Sequence, residues 1–182
     1  MKNTPALAAI LPVALAAAFP SISGPAFATD PLAPARAGKG QCYAPHTARK
    51  TCQSIGWYSW QADGRISNRA ELLVPSTPPV VLTVTSPVIV RGEAVCGPLR
   101  AEDIAAATVT VDGKPAPEEA AGQVRQLMIQ AMQPFTGKEI CTSYIADGEF
   151  LRAEATLDGV ARPDLNQRVL WVSPSDGYRV AP

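Results

Sequence analysis

Histidine is almost missing from this sequence: His46 is the single one, in a polar loop between Cys42 and Cys52. That scarcity removes histidine-rich metal sites, and the lack of any C-x-x-C pair removes zinc knuckles and thioredoxin-like redox chemistry. No G-x-S-x-G nucleophile turn appears. No Gly-rich phosphate loop and no D-x-[DN]-x-[DN]-G calcium loop appears either. No cofactor and no metal is therefore expected. A charge excess is missing too: 16 basic residues balance 16 acidic ones. Without a one-signed field the chain has no basis for steering nucleic acid or an anionic membrane surface. Beyond the N-terminus there is no run that could span a bilayer. Val80–Val90 comes nearest, but it is short, carries Thr83, Thr85 and Ser86, and is broken by Pro87.

What is present begins with an export signature. Lys2 supplies a positive start, Ala6–Ala18 is an apolar stretch, and Ala26-Phe27-Ala28 has the small-x-small pattern of a signal peptidase site. Residues 1–28 are read as a signal peptide and 29–41, rich in Pro, Ala and Gly, as a disordered leader. Residues 42–182 are the size of one domain, with a split into an all-β part (42–97) and an α+β part (98–182) as the alternative. Four cysteines, Cys42, Cys52, Cys96 and Cys141, read as two disulfides in an exported chain, and they allow three pairings. Cys42–Cys52 would close a short polar loop, and Cys96–Cys141 would tie the middle of the chain to the second hairpin. That pairing is preferred. The compartment expected is periplasmic or secreted.

One long helix is expected over Pro117–Gln133. Pro117 suits a first turn, and Glu118 and Glu119 sit at the positive end of the helix dipole. Ala120, Ala121, Val124, Leu127, Met128, Ala131 and Met132 recur at spacings of three and four, so Leu127 should lie buried and Gln126 exposed. Asp-Gly occurs five times, mostly at strand ends, which marks antiparallel hairpins. A two-residue loop at Asp63-Gly64 would set Ile55, Trp57, Ala70 and Leu72 on a core face. Tyr58, Trp60, Arg65 and Arg69 would then share an outer one. Around Asp147-Gly148, Ile140, Tyr144, Leu151, Ala153 and Ala155 share one face, and Cys141, Ile145 and Phe150 the other. The fold class expected is α+β: a mostly antiparallel sheet of hairpins with one long helix packed on it, disulfide-bonded. As architecture alone, a long helix followed by antiparallel strands resembles cystatin-like and NTF2-like domains, which implies no function.

The candidate binding face is Tyr58, Trp60, Arg65 and Arg69. Flat rings stack on sugars, and guanidinium groups hold carboxylate or phosphate. An anionic glycan, a peptidoglycan fragment or an envelope protein is the partner such a face would take. No catalytic residue can be named: Asp147, Glu149, Glu154, Asp158 and Asp164 fall on turns or outward strand positions. The expected function is that of an exported, non-catalytic binding or envelope-associated protein. A small cell-wall-directed hydrolase is the alternative. Export predicts a mature N-terminus at Thr29 in protein recovered from envelope or medium, read by mass spectrometry; only full-length cytoplasmic chain would contradict it.

Overall fold

The computed structural model describes residues Asp30–Pro182, so the signal peptide expected over residues 1–28 lies outside the described residues. Eight strands follow one another around a closed antiparallel barrel. They are β1 (Gly40–Tyr43), β2 (Ser54–Trp60), β3 (Ile66–Val74), β4 (Val80–Arg91), β5 (Ala94–Pro98), β6 (Glu139–Asp147), β7 (Phe150–Leu157) and β8 (Gln167–Val172). Each pairs with the next in chain order, and β1 pairs with β8 to close the ring. The seam is short: Gly40↔Val172, Gln41↔Trp171, Cys42↔Leu170 and Tyr43↔Val169. Closure leaves none of the eight as a bare edge along this path, which is the general advantage of a barrel over an open sheet.

This corrects the expected fold class. Among the described residues strand exceeds helix by 48% to 22%, so the fold is mostly β and not α+β. A helix laid on an open sheet, in the cystatin-like or NTF2-like manner, is replaced by a barrel with helices at its ends. The reason is the β1–β8 pairing, a contact between strands more than 120 residues apart that no local pattern announces. Within the segment expected as a leader, Asp30 onward forms α1 (Ala33–Arg36) and the start of β1. Leu32 and Ala35 are buried and pack with Val95, Tyr58, Trp60, Ile66, Val88, Tyr144 and Trp171, which plugs one end of the barrel. Arg36 lies over the Trp60 ring at 4.4 Å and pairs with Asp30 at 2.8 Å, holding the plug in place.

The other end is shaped by β4. Along one edge it pairs with β3 for nine residues, Val80–Val88. On its other edge Val80–Thr83 pairs with a short strand, Thr108–Val111, and only Ile89–Arg91 pairs with β5. The wall therefore parts midway along β4. Into this end fit α2 (Ala101–Ala105) and α3 (Glu118–Met132), the latter continuing as a 3₁₀ turn, Gln133–Phe135. Val80, Leu82, Ala107, Val109 and Ala121 form the core there, with Val124 and Met128 packed against it. The covered stripe is narrower than the sequence pattern. Ala121, Val124 and Met128 face the barrel, whereas Leu127 is 66% exposed. A helix across a barrel end is covered on one flank only, so the second half of a wide stripe stays in water. Arg125 takes the covered flank instead, donating to the Ala107 carbonyl at 3.3 Å and pairing with Glu118.

The first hairpin also departs from its expected register. Asp63 does not take a positive φ and only Gly64 does, at 83°, so the loop holds three residues, Ala62-Asp63-Gly64. Gln61 and Arg65 close it, and Asp63 accepts both the Arg65 backbone N–H at 3.1 Å and its Nε at 2.7 Å. One added loop residue slips the pairing by one: Tyr58 meets Asn68, and Trp60 meets Ile66. Tyr58 and Trp60 therefore share the inner face with Ala70 and Leu72, while Ile55 and Trp57 lie on the outer face with Arg69. In the second hairpin Asp147 pairs with Phe150 around Gly148-Glu149, a slip of two that leaves its faces as expected.

Cys42–Cys52 and Cys96–Cys141 are both disulfides. The first lies with Ile55 and Val172 under Trp57, Leu170, Tyr178 and Val180, on the outer wall. The second joins directly paired residues of β5 and β6 across a separation of 45, worth about 4 kcal/mol on the chain-entropy model. Among the described residues no helix is long and apolar enough to cross a membrane. The outer wall carries exposed ion pairs, Arg69–Glu71 and Arg152–Glu154, each at 2.7 Å, where a lipid-facing barrel would carry an apolar band. Leu82, at 1% exposure, and Leu127 give the sharpest test of this packing. Leu82→Ala should cost about 2–5 kcal/mol in denaturant unfolding. Leu127→Ala should stay within about 0.5 kcal/mol; equal costs would contradict the helix placement.

Candidate functional site

Alternation fixes what faces the lumen. From β1 come Gln41 and Tyr43, from β2 Tyr58 and Trp60, from β3 Ile66, Asn68, Ala70 and Leu72, and from β6 Thr142 and Tyr144. These positions put polar groups into a place where a small barrel normally packs aliphatic side chains. They gather around one atom. Gln41 Oε1 accepts from Tyr58 Oη at 2.6 Å, and lies 3.1 Å from Tyr144 Oη and 3.2 Å from Tyr43 Oη. Tyr43 Oη and Tyr144 Oη are 2.7 Å apart, so the phenols tie β1 to β6 across the lumen.

The cluster does not close on itself. Four contacts share three phenol protons, and a carbonyl oxygen has two lone pairs, so one contact is always without a proton. Gln41 is 0% exposed, yet its Nε2 has no partner. Turning the amide over does not remove the deficit: nitrogen would then donate to two phenol oxygens, and the carbonyl would take the orphaned place. Asn68 Oδ1 and Trp60 Nε1 are buried and unpartnered as well. Buried polar atoms nearly always find a partner, whether protein, ordered water or a bound group. Gly56, between Gln41 and Ala70, leaves the room beside them; a Cβ there would stand 3.1 Å from Asn68 Oδ1.

Two cavities occupy the lumen. One, about 180 Å³, is lined by Tyr43, Tyr58, Asn68, Thr142 and Tyr144. The other, about 200 Å³, lies between β3, β4 and the helices, lined by Leu72, Leu82, Val84, Ile104, Met128 and Met132. Ser86, Pro98 and Leu99 line both, so the two are neighbours along one axis. Charge enters only at the helix side, where Arg100 and Asp103 neutralise each other through bonds of 3.0 and 2.5 Å. Burial raises the Tyr43 and Tyr58 phenols well above the usual 10.0, with the neighbouring Tyr144 adding to it. Burial raises Tyr144 too, against the lowering effect of its hydrogen bonds. All three are neutral donors and acceptors at physiological pH.

The four residues expected to share a binding face are divided by the one-residue slip. Tyr58 and Trp60 point into the barrel, while Arg65 pairs with Asp63 at the hairpin tip and Arg69 with Glu71 on the outer wall. His46 is exposed in its loop, its Nδ1 accepting the Arg49 N–H at 3.3 Å. Asp147 at the end of β6, Glu149 and Asp158 on turns and Asp164 in a short 3₁₀ helix are all exposed. Cys96, Glu139 and Cys141 stand close enough to suggest a metal, but both sulfurs are spent in the disulfide and offer no thiolate. Sequence reasoning missed Gln41, Tyr43 and Asn68. The available signal was polar residues at a period of two on inward faces, as with Thr142 and Tyr144 beside Ile140. Comparison with known protein families, with characterised proteins and with solved structures finds no significant match to this chain.

The phenol cluster has a pH signature. A folded pKa raised above the unfolded value means stability is complete below about pH 10 and falls as pH rises past it. Melting temperature should therefore drop steeply above pH 10, and the three phenols should ionise together with unfolding. Tyr58→Phe should flatten that drop. An unchanged slope would place Tyr58 outside the buried cluster.

Proposed function

We propose that this chain is an exported, non-catalytic protein, periplasmic or secreted, that binds a small molecule inside its barrel. The single observation behind this reading is a lumen that is left unfilled and keeps unpartnered polar atoms beside it. Eight strands give an interior that side chains can just fill or that can hold one small ligand. An apolar cavity of about 150 Å³ is already enough for benzene, so each of the two spaces here could take a ring-sized group. Export is supported by the two disulfides, which persist in oxidising compartments. No pair of lumen groups is set up as nucleophile and base, and the phenols are held in their neutral form, so binding is favoured over hydrolysis.

The test uses N-phenyl-1-naphthylamine, an uncharged dye that brightens in apolar surroundings. It should bind the mature protein, and Met128→Trp, which fills the space under α3, should weaken binding by at least about tenfold. Leu127→Trp, on the outer side of the same helix, should leave binding unchanged. Loss of binding only with Leu127→Trp would put the dye on the surface and overturn the reading.

A further inference from the structure

We infer that the ligand is an uncharged amphiphile lying along the lumen, with its apolar body under α2 and α3 and a hydroxyl or amide head among Tyr58, Tyr144, Asn68 and Gln41. This rests on the lumen being the binding site and adds what the site selects. The two cavities differ in kind. Leu72, Leu82, Val84, Ile104, Met128 and Met132 make the helix-side cavity mostly apolar, with Thr136 and the paired Arg100 and Asp103 also in its lining. The inner cavity offers three phenols, an amide and the Thr142 hydroxyl. Ser86, Pro98 and Leu99 stand at the junction, so a body seated in one space has its end directed to the other.

The head is neutral because nothing in the inner cavity would compensate a charge. Its lining has no acidic or basic side chain. At the helix side, Arg100 and Asp103 are already committed to each other by two hydrogen bonds. An ion brought there gives up its hydration and meets only dipoles, which is a heavy penalty. A neutral head loses little and gains much. Tyr58 Oη donates to Gln41 Oε1 and neighbours the Tyr144 phenol, and its two lone pairs leave it room to accept from a guest. Asn68 Oδ1 can accept another, and the unpaired half of the Gln41 amide stands beside the same phenols. A group that both donates and accepts matches this inventory; a carboxylate, which only accepts, and an ammonium, which only donates, each leave part of it unmet.

The experiment is competition against bound N-phenyl-1-naphthylamine by 1-octanol, octanoate and octylammonium at pH 7.5, with calorimetry as the direct check. Octanol should displace the dye at a concentration at least about tenfold below either ion. Asn68→Ala and Tyr58→Phe should each reduce the ratio of octanol to octanoate displacement, each ratio being read against the dye affinity measured for that same variant; with both variants, one that misfolds does not remove the test. Equal displacement by all three, or stronger displacement by octanoate or octylammonium, overturns the neutral-head assignment and leaves lumen binding intact. Failure of the dye itself to bind overturns both.

Discussion

The pairing of β1 with β8 is the constraint on which the rest depends. Every other strand contact in the barrel joins strands that follow one another in barrel order, with α2 and α3 lying between β5 and β6, and a run of such pairings could remain an open sheet. Four residue pairs at the seam, Gly40–Tyr43 with Val169–Val172, turn that sheet into a ring. They also place Gln41 so that its side chain enters the lumen and collects phenols from β1, β2 and β6. Cys42, on the opposite face of the same short strand, is fixed to Cys52 and buried beneath Trp57 and Tyr178. One strand thus anchors the outer wall through a disulfide and the inner wall through an amide. A long-range seam is slow to form because loop closure must precede its reward. The covalent loop at Cys42–Cys52 holds β1 beside β2 and shortens that search.

Stability and accommodation pull against each other inside the ring. Close packing would fill the lumen with aliphatic side chains and leave no unpartnered donor or acceptor. Here the well-packed clusters are displaced to the two ends and to the outer wall: Leu32 and Ala35 at the plug, Leu82 and Val109 under α3, Ile55 and Val172 outside. The middle is left with half-buried Tyr58, Asn68, Ser86, Thr142 and Tyr144. Each orphaned buried polar atom costs about 1–3 kcal/mol. Two disulfides and a closed hydrogen-bond ladder offset that cost and allow it to persist. A guest that supplies the missing partners would recover part of it as binding energy.

Much of this was legible from the sequence, and the failures have separate physical causes. The helix was visible because proline, acidic residues and a three-four apolar rhythm all mark the same boundaries. The second hairpin's faces survived a register error because a slip of two preserves alternation, while the first hairpin's faces were lost to a slip of one. That slip came from Asp63, whose side chain favours a three-residue turn through its bonds to Arg65. Gln41 was hidden for another reason: it sits at the end of a Pro- and Ala-rich stretch with no rhythm of its own, and only the distant Trp171 and Val169 give it a place. Leu127 showed that an apolar stripe records what could be buried, while the size of the surface it meets decides what is.

The central claim is that the interior, and not the outer hairpin face, receives the ligand. The most direct measurement is nuclear Overhauser contact between 1-octanol and the protein in solution. The account places the terminal methyl of the chain near the Met128 and Met132 methyl groups and the hydroxyl-bearing end near the Tyr58 and Tyr144 rings. Contacts confined to exposed groups such as Leu127, Val160 or Ile89, with none to the lumen tyrosines, would contradict it.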